Sequence, residues 1–284
     1  MTLMDPTTIR PKQQPPLPLS SSGEENHFLD IAIVSGRRLL LTDLKHKSVL
    51  LVDSQEGGVL STVSVPCVPF GVCMVHAACA AVALPHAMRV QYVYVNGDTL
   101  TLGKGEPVGG KVWGLSLLGN MLVVTYMEPP AVEVVTQEGK RLRRFDNISA
   151  DMELLGKPWY VAVSGDRVFV SDWSTNIITM LSDQLQLLAT FSHPDLLHFP
   201  QGIISLNNDQ LLVCGRLSDN IVLLQPSNGQ MSAFLERKDG MYKPVALAFC
   251  HHSKIIYSTP LSKTNSIKRF MLCMSDGIET TTRL

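Results

Sequence analysis

Cysteines never pair as CxxC in this chain, although six are present. Zinc-ribbon and RING-type sites need that spacing, so no structural metal is expected. Long apolar runs are missing too: stretches such as Ala77–Pro85 fall well short of the roughly 18–20 residues that cross a bilayer. The N-terminus lacks the continuous apolar segment of a secretory signal. Charge is balanced, with 24 Lys plus Arg against 25 Asp plus Glu. The overall field therefore draws in neither nucleic acid nor an anionic membrane, although a local basic face is still allowed. No GxSxG elbow, P-loop, HExxH or dinucleotide fingerprint occurs. Capped helical stripes are almost absent. These absences lead to a soluble, non-enzymatic protein without cofactor. Scattered cysteines among Val, Ala and Met (Cys67, Cys73, Cys79) imply reduced, buried thiols and a cytoplasmic setting.

What remains is a chain of 284 residues, 45% hydrophobic and 17% charged, which can bury a sizeable core. Residues 1–27 differ from the rest. Pro11, Pro15, Pro16, Pro18, the Ser20–Ser22 run and Glu24–Glu25 leave little to pack, so this segment reads as a disordered Pro/Ser-rich tail or linker. A PPxP ligand at Pro15–Pro18 is a minor alternative for it. From residue 28 to 284 the composition is continuous.

Across those residues a short apolar segment recurs, centred on Asp30, Gly71, Gly114, Tyr160, Gly202 and Ala246, with steps of 41, 43, 46, 42 and 44. Four strand-like runs follow in each copy. In the fourth they are Val161–Ser164, Arg167–Asp172, Ile177–Leu181 and Leu185–Phe191, separated by Gly, Asp, Asn and Ser turns. A single four-stranded unit has two apolar faces, and six in a ring bury each against two neighbours. The fold class expected is all-β: a six-bladed β-propeller of four-stranded antiparallel blades over 28–284. Ile278–Arg283 is expected as the outer strand of the last blade, and a closing contribution from the tail is left open.

The stretches Pro158–Val163, Val168-Phe169-Val170-Ser171-Asp172 and Asn176-Ile177-Ile178 resemble the NHL repeat, as do Pro200–Ile203 and Asn220–Leu224. Gly71–Pro85 and Gly114–Pro130 are similar to segments of the C-terminal propeller of invertebrate tripartite-motif (TRIM-NHL) proteins. The resemblance implies an interaction scaffold in ubiquitin-pathway or post-transcriptional regulation. Its RING, B-box and coiled-coil motifs are absent from this sequence, so ligase activity is not implied.

In such a propeller the loops between second and third strands share one face. They carry Lys45, His46, Lys47, Arg89, Trp173, Asn176, Arg216, Asn220 and Lys263. This loop face is the expected binding surface for a protein partner, with Trp173 as an exposed aromatic anchor. RNA on the same face is the alternative reading. No small-molecule substrate and no membrane association are expected. Asp43 and Asp172 are read as turn caps. Arg141-Leu142-Arg143-Arg144-Phe145 is read as a basic outer strand that deters edge pairing. A metal-dependent lactonase-like hydrolase is the least favoured reading, because Asp30 is the only carboxylate placed on the innermost strands.

Overall fold

Each of six sheets in the computed structural model contains four antiparallel strands in hydrogen-bonded order from the axis outward. The described residues are 9–19, 26–34, 37–150, 153–207, 209–260 and 266–274. The inner strands are Phe28–Val34, Val72–His76, Val112–Leu118, Pro158–Ser164, Pro200–Asn207 and Pro244–Cys250. They neighbour one another in sequence order and the last returns to the first. The six-bladed propeller is thus as expected, and the strands of blade four fall within three residues of the runs read from sequence. Helix is confined to the single turn Asn147–Ala150 and two 3-10 turns among the described residues.

The core is divided as the repeat logic requires. Six buried apolar clusters form, each drawn mainly from two adjacent blades: Leu40 and Val49 of blade one pack with Val82 and Val93 of blade two, and so on round the ring. Second strands such as Cys79–Leu84 are buried along their whole length because both faces of the sheet meet a neighbour. Outer strands alternate, as in Val59–Ser64, because one face meets water.

Hydroxyls on the second strands tie blade to blade. Thr42 Oγ1 donates to the Phe70 carbonyl at 2.7 Å, Thr125 Oγ1 to Trp159 at 2.6 Å and Ser171 Oγ to Gln201 at 2.7 Å. These bonds fall at the crowded layer marked by the repeat. There a Cβ on Gly114 would stand 2.1 Å from the Trp159 carbonyl oxygen, so only glycine lets the two backbones approach.

Closure departs from expectation. Ile9–Pro18, read as part of a disordered tail, is the outermost strand of blade six and pairs antiparallel with Ser266–Met274. Leu17 and Leu19 are buried in the cluster between blades six and one. Arg269 fastens the join, donating from Nε to the Pro15 carbonyl at 3.0 Å and from a terminal nitrogen to Ser54 at 3.3 Å. Prolines are tolerated because this is an edge strand, and the register shifts between Gln14 and Leu17, where Pro15 and Pro16 sit. The last blade therefore takes its outer strand from the N-terminal side. Ile278–Arg283, and residues 1–8 and 20–25 of the expected tail, lie outside the described residues.

Candidate functional site

The inner strands enclose a cavity of about 430 Å³ on the axis. Its lining runs from the middle of the strands (Asp30, Leu115, Tyr160, Ile203) to the hairpins that leave them (Gly165, His251). It therefore reaches toward the hairpin face, opposite the loops that carry the expected binding residues. The wall is mixed: Ile31, Val161, Ile203 and Leu247 alternate with Ser116, Ser164 and Ser205. The Ser205 hydroxyl donates to the Asn207 carbonyl at 2.7 Å and accepts from the Ser164 hydroxyl at 2.9 Å.

Asp30 and Tyr160 occupy the inner end. They hold the repeat positions that are glycine in blades two, three and five, and so add side chains where the others have none. The Asp30 carboxylate accepts from the backbone of Ile31 and from Val72 of the next blade, both at 2.9 Å. Those donors favour the charged form, but full burial opposes it more strongly and pushes the Asp30 pKa up to about 7. The Tyr160 hydroxyl donates to the Leu29 carbonyl, and burial holds its pKa well above the usual phenol value. Two thiols near Asp30 are protonated for the same reason: Cys73 is pushed up to about 12 and Cys214 well above its ordinary value. His251 sits at the other end of the cavity, edge-on to Phe249 at 4.7 Å, with its pKa lowered by burial and by Lys254. Five residues of strand, about 16 Å, separate its level from that of Asp30.

The site thus joins an acid that titrates near neutrality, a protonated phenol and a walled volume, which together can move protons on a bound molecule. Among the described residues no three His, Cys, Asp or Glu come together as metal ligands. Metal-dependent lactonase chemistry has no ligand set there.

The expected loop-face residues divide. Lys45, His46, Lys47 and Arg89 are exposed around the loop face. The His46 ring is held 2.5 Å from the buried carboxylate of Asp43, which also accepts from the Lys45 backbone at 3.0 Å. Trp173 is not an exposed anchor. It is half-buried, stacked on Phe199 at 4.6 Å, with Lys157 Nζ 4.9 Å from its ring. Asn176 accepts from the Phe199 backbone at 2.7 Å, and Asn220, buried, donates to the Leu196 carbonyl at 2.7 Å. Both order loops. Arg216 lies 4.8 Å from the Phe199 ring. Lys263 is outside the described residues. The basic run on the outer strand is partly neutralised from within, since Arg144 and Arg141 reach the buried Glu133 at 2.7 and 3.5 Å.

A six-bladed propeller with a walled axial cavity, Asp30 and Tyr160 at its inner end, is the class that fold and site define. No family model and no curated protein matches the chain. Solved structures do. A streptogramin B lyase matches with a TM-score of 0.67 at 13% identity, covering 94% of this chain and 99% of that one. A catalytically inactive histidine-to-alanine variant of virginiamycin B lyase from Staphylococcus aureus, with quinupristin, matches with a TM-score of 0.65 at 13% identity, covering 93% and 100%. The β-propeller domain of Myceliophteria thermophila Cps50 (Swd1) matches at 0.64 and 13%, covering 87% and 83%. At these identities the likeness establishes the fold. The expectation of a non-enzymatic scaffold is nevertheless overturned, because lyases with this same disc stand among its structural neighbours. Asp30 is visible in the sequence as the only carboxylate on an inner strand, which by residue type alone suggests a metal ligand; its acidity depends on burial that the sequence does not show. Tyr160 and His251 carried no local signal.

Proposed function

We propose that the chain is an enzyme of the lyase type acting in the axial cavity, with Asp30 as its proton-accepting group. The observation that carries this is a carboxyl buried on the cavity lining whose pKa stands at about 7. A group half-ionised at neutral pH is suited to take a proton and to return it. In an elimination, the Asp30 carboxylate removes a proton from a carbon next to a carbonyl. The electron pair left behind forms a double bond as the bond to the leaving oxygen or nitrogen breaks. The leaving atom takes the Tyr160 proton, and protonated Asp30 restores the phenol. Likeness to streptogramin B lyase supports the reaction class, and quinupristin is the first substrate to try.

The test follows quinupristin and a panel of cyclic and linear peptide esters by chromatography, with absorbance for a new conjugated double bond. Wild-type turnover that falls at least about a hundredfold in Asp30→Asn supports the assignment. Turnover unchanged in that variant, or no turnover of any substrate by the wild type, goes against it.

The NHL-like blade motifs support a place near that repeat group, and six unpaired cysteines favour a reducing, cytoplasmic compartment. Among the described residues no helix is long and apolar enough to cross a membrane. In this reading, the exposed Lys47 and Arg89 on the loop face meet a macromolecular partner, a protein before an RNA.

A further inference from the structure

Polar groups are left over at the other end of the axis, on the loop side of Tyr160. Gln201 is fully buried, and neither its amide nitrogen nor its amide oxygen has a partner. The indole N–H of Trp113 and the Nε–H of Arg216 are buried and unpartnered as well. Among the described residues no carboxylate pairs with Arg216; its guanidinium rests on the Phe199 ring and lies near Tyr160.

These groups share one place in the fold. Gln201, Trp113 and Trp159 precede the crowded layer by one residue in blades five, three and four. Phe70 of blade two and Trp159 of blade four come within 5.9 Å, although a blade stands between them, so this ring of side chains meets over the axis. Trp113 lies 6.1 Å from Trp159 in the same group. Arg216 follows Gly215, which pairs with Pro200, the neighbour of Gln201. A buried donor or acceptor without a partner is costly, and Arg216, half-buried, offers its unpartnered Nε–H beside them. Leftover amide, indole and guanidinium groups around one cluster form a set that a ligand can satisfy.

We propose that the loop-side end of the axis binds a small monocarboxylate carrying an aromatic body and an N–H beside the carboxylate. The carboxylate meets the single guanidinium of Arg216 and the Gln201 amide nitrogen. The Gln201 oxygen accepts the ligand N–H, and the flat body lies against the half-buried Trp159. The single guanidinium of Arg216 suits one negative charge; Lys157 lies on the far side of the Phe199–Trp173 stack, over the Trp173 ring. This site lies across Tyr160 from Asp30 and does not depend on the elimination chemistry.

N-acetylphenylalanine and its amide are the probes, titrated into the full chain with tryptophan fluorescence as the readout. Saturable binding of the acid, with the amide weaker by about tenfold or more, supports the site. Arg216→Gln is expected to erase that preference and Arg216→Lys to keep part of it. Gln201→Leu should weaken the acid about tenfold while leaving the thermal midpoint unchanged or raised, because it removes unpaired polar atoms. Asp30→Asn should bind as wild type does. Equal binding of acid and amide, binding of neither, or a preference that survives Arg216→Gln overturns the proposal.

Discussion

The Tyr160 hydroxyl of blade four donates to the Leu29 carbonyl of blade one, the blade directly opposite in the ring. A single side chain thus spans the axis and separates the cavity on the hairpin side from the aromatic cluster on the loop side. Tyr160→Phe keeps the ring and its stacking on Trp159 but leaves the Leu29 carbonyl without this donor. Thermal unfolding should show a loss of about 1–2 kcal/mol. If Tyr160 also supplies the leaving-group proton, turnover should fall much further than stability does.

Asp30 makes stability depend on pH in the direction opposite to an ordinary salt-bridged carboxylate. Its folded pKa of about 7 stands above the ordinary carboxyl value of 3.8. Between those values the native state holds a proton that the unfolded chain has released. The favourable contribution is therefore complete below about pH 4 and is lost as pH rises to about 7. Asp30→Asn removes the titration. Denaturation series from pH 4 to pH 8 should show the variant gaining on wild type by up to about 4 kcal/mol. A constant difference across that range would contradict a raised pKa.

Gly57 tests the closure. Its φ is +82°, and a Cβ would lie 2.2 Å from the Pro18 carbonyl oxygen in the closing strand. Gly57→Ala should therefore cost roughly 2–3 kcal/mol and loosen residues 9–18, seen as faster amide exchange there. Gly97→Ala is the control: φ is +60° with open space around it, so about 1 kcal/mol of backbone cost is all that applies.

Glu133 is buried under the basic outer strand and accepts from Arg144 at 2.7 Å and from Tyr126 at 3.1 Å. Glu133→Leu leaves Arg144 with Asp146 alone and should destabilise by about 3 kcal/mol. Replacing Arg144 by Met in the same chain should recover part of that loss. A double-mutant cycle should give a coupling of about 1 kcal/mol or more.

Blade number, strand order and the crowded layer were legible because each depends on local spacing. A recurrence near 43 residues, glycine where backbones approach, and Asp or Asn at turns are all written within one copy. Asp43 shows how far this carries: read as a turn cap, it accepts from the Lys45 backbone and from His27. Trp173 shows where it fails, because its burial depends on Phe199 in the following blade.

The sequence by itself determined that six similar sheets would pack face to face, since apolar faces on both sides of each unit leave no other way to exclude water. Tertiary structure alone decided the rest. Closure pairs residues 9–18 with 266–274, far apart along the chain, and proline-rich composition hid that strand. Asp30, Tyr160 and His251 come from blades one, four and six, and only the ring brings them to one cavity. A carboxyl becomes a near-neutral acid through loss of water around it, a property of its surroundings that a list of residues in order does not contain.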